Sequence, residues 1–362
     1  MNQSLDLLIS SLRRGGAERM CTVLANQFAD MGYAVRVIVM DSEIGPMRTD
    51  LSSKVTVMSL GVKRARYAIP SLYRFLCRDA ADQILVFNHQ ILAILIPLRR
   101  LLRRKPRFIL RNISTLSQQF SAEKSVWHGA VVHAFARGAI PKADHVIAQS
   151  HGMASDLIKN YAVDPEKISI IHNAVAPQIW QRREEFQEKE EGFRISFVGR
   201  LEPVKDVSLL LDAFADVKAK LPTASLSIYG DGSERSALAK KAKALDLEDA
   251  VKFFGQVTDV VGCYIAADVT ALTSIYEGFP NCLIESIAFG TPIVSVDCKS
   301  GPEEIIENGQ NGYLVRSRRP RDIAEALLKA AESDWDRKSI RVSASRFSPE
   351  QVAKAYEAAI FS

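Results

Sequence analysis

The sequence predicts an α/β protein built from two doubly wound halves, and three observations carry that reading. Short apolar, β-rich runs alternate with helical patterns along most of the 362 residues. The alternation pauses once, across the charge-dense residues 178–192, and then restarts. The most distinctive residue clusters fall where a strand hands over to a helix. Repeated strand–helix alternation predicts parallel sheets covered on both faces, with ligands beyond the carboxyl ends of the strands.

In the first half, residues 5–9 read as a strand and 17–31 as a helix, with Met20, Val23, Leu24 and Phe28 at helical spacing. Residues 35–40, 55–60, 84–87, 108–110, 145–148 and 168–171 read as further strands. Residues 178–192 hold eight charged side chains from Arg182 to Glu191 and read equally as a linker or a solvated helix. Beyond them, 195–198, 226–229, 251–254, 269–272 and 293–296 read as strands, with helices at 207–220, 233–245 and 281–289. The expected division is 1–180, 181–345 and a tail, 346–362, carrying a helix at 349–360. Two such halves facing each other would create an interdomain cleft.

Composition narrows the class. Hydrophobic residues make up 47% and charged residues 25%, ordinary for a globular protein. The five cysteines, Cys21, Cys77, Cys263, Cys282 and Cys298, are widely spaced without a CxxC pair, which argues against a disulfide framework or structural zinc and fits a reducing compartment. Residues 1–9 lack the basic segment and long apolar core of a signal peptide, and the apolar run 91–98 is far short of a membrane helix, so a cytoplasmic location is expected. Net charge is +5, but eleven basic and two acidic residues between Lys63 and Arg107 make that stretch +9. An anionic partner for one face of the first half is implied. No nucleic-acid motif accompanies the charge. Arg99, Arg100, Arg103, Arg104 and Lys105 lie amid Leu98, Leu101 and Leu102, the mix of an interfacial amphipathic helix on an anionic membrane, the alternative being a solvated face.

Three clusters carry chemistry. Glu277-Gly278-Phe279-Pro280-Asn281-Cys282-Leu283-Ile284-Glu285 follows a strand and opens a helix. Gly278 permits close backbone approach, Pro280 suits a helix start, and the amides of Asn281 and Cys282 would stand at the positive helix end, where anions bind. Glu277 and Glu285 could accept sugar hydroxyls; alone, they read equally as solvent-facing glutamates around a helix cap. Arg200 and Lys205, after the strand 195–198, can reach one diphosphate, or can be two surface cations. Gly15-Gly16, after the first strand, allows a substrate to approach, but the GxGxxG pattern of a nicotinamide fingerprint is missing. Gly230-Asp231-Gly232 likewise lacks the third glycine and reads as a strand-to-helix turn lining the nucleotide side.

The ordered set resembles the group-4-type family of retaining glycosyltransferases with the GT-B fold, two Rossmann-like domains. Its elements are Gly199-Arg200 with Lys205, Gly230-Asp231-Gly232, Phe254-Gly255-Gln256-Val257, the Glu277/Glu285 pair and Gly309-Gln310-Asn311-Gly312. The resemblance implies a nucleotide-diphosphate donor, expected to be a UDP-sugar, and a glycan acceptor on a polyprenyl diphosphate, in bacterial surface-polysaccharide synthesis at the inner membrane face. It implies that Arg200 and Lys205 neutralise the diphosphate, Glu277 holds sugar hydroxyls and Glu285 the ribose. Gly278, Phe279, Pro280 and Asn281 would shape the pocket, Gly16 would approach the phosphates from the other domain, and Val257 would lie near the base. Many relatives carry a His near the reacting sugar; here Arg111-Asn112 follows the strand at 108–110, and His89, after the strand at 84–87, is the other candidate. No metal or other cofactor is expected, because the one Asp-x-Asp triplet, Asp334-Trp335-Asp336, follows a C-terminal helix rather than a mid-domain strand. Other readings on the same fold are a nucleotide-sugar epimerase, a glycan phosphorylase, or a non-catalytic sugar-nucleotide-binding protein.

Overall fold

The computed structural model describes residues 3–13, 15–62, 67–113, 115–117, 134–185 and 191–362. The chain divides into two compact units, Met1–Ala176 with Pro349–Ser362, and Pro177–Ser348. The first chain crossing thus falls after Ala176, ahead of the short helix Pro177–Trp180, rather than inside the charged stretch. Of that stretch, residues 186–190 lie outside the described residues.

The first unit is built on seven parallel strands: β1 (Ser4–Ile9), β2 (Ala34–Val39), β3 (Thr56–Ser59), β4 (Gln83–Val86), β5 (Arg107–Arg111), β6 (His145–Ala148) and β7 (Ile168–Ile170), in the order β3-β2-β1-β4-β5-β6-β7. Its helices include α1 (Gly16–Asp30), α2 (Ala68–Arg78), α3 (His89–Leu98) and α4 (His151–Tyr161). Leucine, isoleucine and valine dominate the strands because both sheet faces are covered. Alternation along each strand splits them. Leu8, Ile84, Val86, Phe108 and Leu110 pack under α2 and α3. Leu7, Ile9, Leu85 and Ile109 pack with Met20, Leu24 and Phe28 of α1 and with Tyr356 and Ile360 from the chain's last helix.

The second unit holds six parallel strands: β8 (Arg194–Val198), β9 (Ser225–Tyr229), β10 (Val251–Gly255), β11 (Val269–Leu272), β12 (Ile293–Val296) and β13 (Gly312–Val315), in the order β10-β9-β8-β11-β12-β13. Its longer helices are α5 (Val207–Lys220), α6 (Arg235–Ala244), α7 (Asn281–Ala288) and α8 (Pro320–Glu332); α9 (Pro349–Phe361) returns to the first unit. Pattern reading missed β13. It is four residues long and starts on the second glycine of Gly309-Gln310-Asn311-Gly312, a turn signal. The sheet requires that glycine, because a Cβ at Gly312 would stand 2.1 Å from the Ile293 carbonyl oxygen on β12. Both sheets have the parallel, helix-covered architecture expected of the GT-B fold.

Candidate active site

Arg200, Lys205, Val257 and residues 277–280 sit on loops at the carboxyl ends of the second unit's strands, where an open α/β sheet binds ligands. The loops after β8 and β9 are laced together by backbone: Gly199 N–H donates to Tyr229 O at 2.9 Å and Leu201 N–H to Asp231 O at 2.9 Å. The glycines of Gly230-Asp231-Gly232 make that crossing possible. Gly230 has φ +139°, and a Cβ there would lie 1.8 Å from Gly199 O; one at Gly232 would lie 2.4 Å from Leu201 O. The Gly-Asp-Gly signal therefore marks two loops in van der Waals contact.

Lys205 ends a short 3-10 turn, Pro203–Lys205, that leads into α5. Its Nζ lies 2.5 Å from Glu277 Oε1, and the Ser274 hydroxyl donates to the same oxygen at 2.6 Å. Both side chains of the ion pair are largely buried, at 17% and 12% exposure. Burial is the strongest single influence and acts against the Lys205 charge, but the opposing influences, led by the Glu277 carboxylate, together raise the ammonium pKa. Two residues expected to act separately are thus aligned on each other, while Arg200 is exposed and makes no side-chain hydrogen bond among the described residues. Its charge is close enough to oppose that of Lys205.

Phe279 is buried, its ring tilted against Phe347 at 5.7 Å between centroids, so its side chain anchors the loop. Pro280 is the N-cap of α7 and Asn281 its first residue. In the same turn, burial is the main cause that pushes the Cys282 thiol up to about 12. Glu285 is buried in α7 and accepts the Tyr264 hydroxyl at 2.7 Å. Val257 follows β10, half-buried, beyond the stacked Tyr229–Phe254 pair, 4.7 Å between centroids. Gly16 stands in the first unit, exposed at the first turn of α1.

Pattern reading missed Ser274, Tyr264, Thr273, Asp206 and Arg318. Ser274 had a faint signal, three residues before Glu277 in one loop; Arg318 is far along the chain and had none.

Two models describe this chain, Glycosyltransferase Family 4 over residues 14–179 and Glycosyl transferases group 1 over residues 178–346. The chain belongs to the group-4-type glycosyltransferases. Over 357 residues it is 28% identical to the N-acetylgalactosamine-N,N'-diacetylbacillosaminyl-diphospho-undecaprenol 4-alpha-N-acetylgalactosaminyltransferase of Campylobacter jejuni, covering 94% of this chain and 93% of the relative. Among solved structures, a glycosyltransferase from Rickettsia africae superposes with TM-score 0.82 at 15% identity over 99% of this chain and 97% of its own. Anabaena HepE in complex with UDP and glucose gives 0.76 at 20% identity over the whole of both chains.

In this glycosyltransferase the first unit's candidates are placed differently from expectation. Arg111 is not presented to solvent: it is 1% exposed, donating to the Tyr356 hydroxyl at 3.0 Å and Asn173 Oδ1 at 2.6 Å, with its guanidinium 5.4 Å from the Phe87 ring centre. His89 is also buried, its pKa pushed down to about 4 by desolvation, so it is neutral near pH 7. Residues 98–105 do not form an amphipathic helix. α3 ends at Leu98, a 3-10 turn covers Arg99–Leu101, and Leu98 and Leu102 point into the core. Arg99 pairs with Asp144, and Arg104 with Asp82 at 2.7 Å. The exposed basic and apolar groups lie instead on the outer face of α2 and the adjoining turn: Ile69, Tyr73, Arg74, Arg78, Leu101 and Arg103. A groove of about 280 Å³ joins Tyr73, Cys77 and Arg78 to Leu101, Arg103 and Arg104. Lys63, Arg64 and Arg66 lie outside the described residues. Asp336 caps the following helix by accepting Lys338 N–H at 3.0 Å, and Trp335 donates to Ala330 O.

Proposed function

We propose that this enzyme transfers a sugar, with retention of anomeric configuration, from a UDP-sugar to a glycan carried on a polyprenyl diphosphate in bacterial surface-polysaccharide synthesis. The observation that carries the proposal is the aligned Lys205–Glu277 pair beside the exposed Arg200. A donor diphosphate entering here would meet two cations and the start of α7, the charge distribution its departure requires. Glu277, held by Lys205 and Ser274, is oriented to accept hydroxyls of the donor sugar. Its place in a loop, already engaged by a cation, suits hydroxyl binding better than nucleophilic attack.

Retention then follows from attack on the face the diphosphate leaves. The acceptor oxygen bonds to the anomeric carbon as the carbon–phosphate-oxygen bond breaks; a phosphate oxygen takes the acceptor proton, and nucleoside diphosphate departs. Glu285, oriented by Tyr264, would bind the ribose. Arg200, Lys205 and backbone amides would balance the diphosphate charge without a metal. The C. jejuni relative's diphospho-undecaprenol acceptor and the UDP and glucose bound to HepE support the acceptor and donor classes. No helix among the described residues is long and apolar enough to cross a membrane. The face of α2 with Leu101 is the surface we assign to peripheral contact with the inner leaflet.

The test is a release screen across UDP-, GDP- and ADP-sugars, with and without extracted lipid, in EDTA. Acceptor-dependent release of UDP, with an α-linked product from an α-donor by anomeric proton coupling, is expected. Release without acceptor, with water taking the sugar and freeing it as its epimer, would point to a hydrolysing epimerase, and a β-linked product would overturn retention.

A further inference from the structure

We propose that Arg318 is a positioning residue that holds Lys205 and Glu277 in register by bridging the two loops that carry them. Arg318 lies three residues beyond β13, yet its guanidinium reaches acceptors on both loops. Nη1 donates to Ser274 O at 2.8 Å, and Nη2 donates to Thr273 O at 2.9 Å and Asp206 Oδ2 at 2.7 Å. Asp206 directly follows Lys205. Ser274 stands three residues before Glu277, and its hydroxyl donates to Glu277 Oε1.

The same two loops are tied a second time by Thr273, whose hydroxyl donates to Asp206 O at 2.9 Å and Lys205 O at 3.2 Å. Ile275 N–H donates to Val204 O at 2.8 Å. Apart from the Asp206 carboxylate, every acceptor in these links is a backbone carbonyl, so they fix where the Lys205 and Glu277 side chains start rather than where they end.

Asp206 shows why such a clamp is needed. It has φ +43°, ψ +52°, a left-handed conformation that costs a non-glycine residue energy and persists where surroundings enforce it. Its two carboxylate oxygens have separate partners. Oδ1 accepts Leu209 N–H at 3.3 Å as the N-cap of α5, and Oδ2 accepts from Arg318. The kink at Asp206 turns the chain so that Lys205 faces Glu277 while α5 departs. A planar fork can span the three acceptors; a lysine ammonium has neither the reach nor the geometry.

Arg318 makes no side-chain bond to Lys205 or Glu277 themselves, so its effect on turnover must pass through them. The proposal rests on the reading of the Lys205–Glu277 pair given above. The experiment measures kcat and donor KM, with the donor active in the release screen, and melting temperature. The variants are Arg318→Met, Arg318→Lys, Lys205→Met and the double variant Arg318→Met with Lys205→Met. Displacing a reacting group by about 1 Å costs on the order of a hundredfold, so Arg318→Met should lower kcat at least tenfold. On the Lys205→Met background the further loss should be under about twofold, the non-additivity of residues acting as a unit. Arg318→Lys should recover only part of the loss, and it carries the comparison if Arg318→Met does not fold. Multiplicative losses in the double variant, or wild-type kcat in both Arg318 variants, would overturn the clamp with the site intact. Wild-type turnover in Lys205→Met would overturn the site reading, and the clamp with it.

Discussion

Cations serve different ends in the two units. At the carboxyl end of the second sheet, Lys205 locks onto Glu277, Arg318 bridges two loops, and Arg200 and Lys299 are exposed without a side-chain bond among the described residues. Along residues 74–111 of the first unit, Arg99 and Arg104 answer nearby aspartates and Arg111 is interior, while Arg74, Arg78, Arg100 and Arg103 face solvent without an ion-pair partner among the described residues. Charge density alone does not distinguish these cases. A cation that is paired and buried positions something; one left exposed beside apolar side chains is available to a partner.

The largest effect that could overturn this contrast lies at the paired site. Glu277→Gln keeps the shape but loses the charge facing Lys205, and kcat/KM should fall roughly 100- to 1000-fold, the scale of a preorganised electrostatic contact. Mass spectrometry of the wild type during turnover should find no covalent sugar; a glycosyl ester on Glu277 would reassign the residue as a nucleophile.

A smaller effect separates interior from surface groups in the first unit. The folded-state pKa of His89 is depressed to about 4 by burial, against roughly 6.5 unfolded. Below pH 6.5 the unfolded chain binds the proton first, so stability is complete above that pH and falls as pH drops toward 4. Near pH 4.5 the loss should be roughly 2–3 kcal/mol, less for any residual solvation of the ring. Chemical denaturation of His89→Gln should lack this component; an unchanged acid limb would place His89 in contact with water.

The smallest effect concerns the exposed arginines. Each cation near anionic lipid is worth about 1 kcal/mol. Gln at Arg74 and Arg103 should therefore weaken sedimentation with phosphatidylglycerol vesicles at low salt, and Gln at the same number of paired sites, Arg99 and Arg104, should weaken it less. Equal effects would mean the surface is read by charge density after all.

Much of the fold was legible because parallel strands buried on both faces are near-continuous apolar runs. What escaped, β13, begins on a glycine needed for close approach to Ile293 and looks like a turn. At the site, the Glu277 loop and Arg200…Lys205 were legible because a strand end, a glycine or proline and a charged residue recur within a few positions. The pairing of Lys205 with Glu277 was not, since 72 residues separate them. Nor was Arg318, which reaches Asp206 from 112 residues away. In the first unit, Arg99–Lys105 has the composition of an amphipathic helix, but Leu98 and Leu102 are claimed by the core and the helix ends. Tertiary packing, which composition does not encode, decided that segment.

The proposed chemistry stands or falls on Lys205 and Arg200 holding the donor diphosphate without a metal. Calorimetric titration of the nucleoside diphosphate released in the donor screen, in EDTA, tests it on wild type, Arg200→Ala and Lys205→Met. Binding should persist in EDTA for the wild type and weaken by about 1.5–3 kcal/mol in each variant, the scale of a hydrogen bond to a charged group. Equal affinities in all three proteins, or binding only after magnesium or manganese is added, would contradict it.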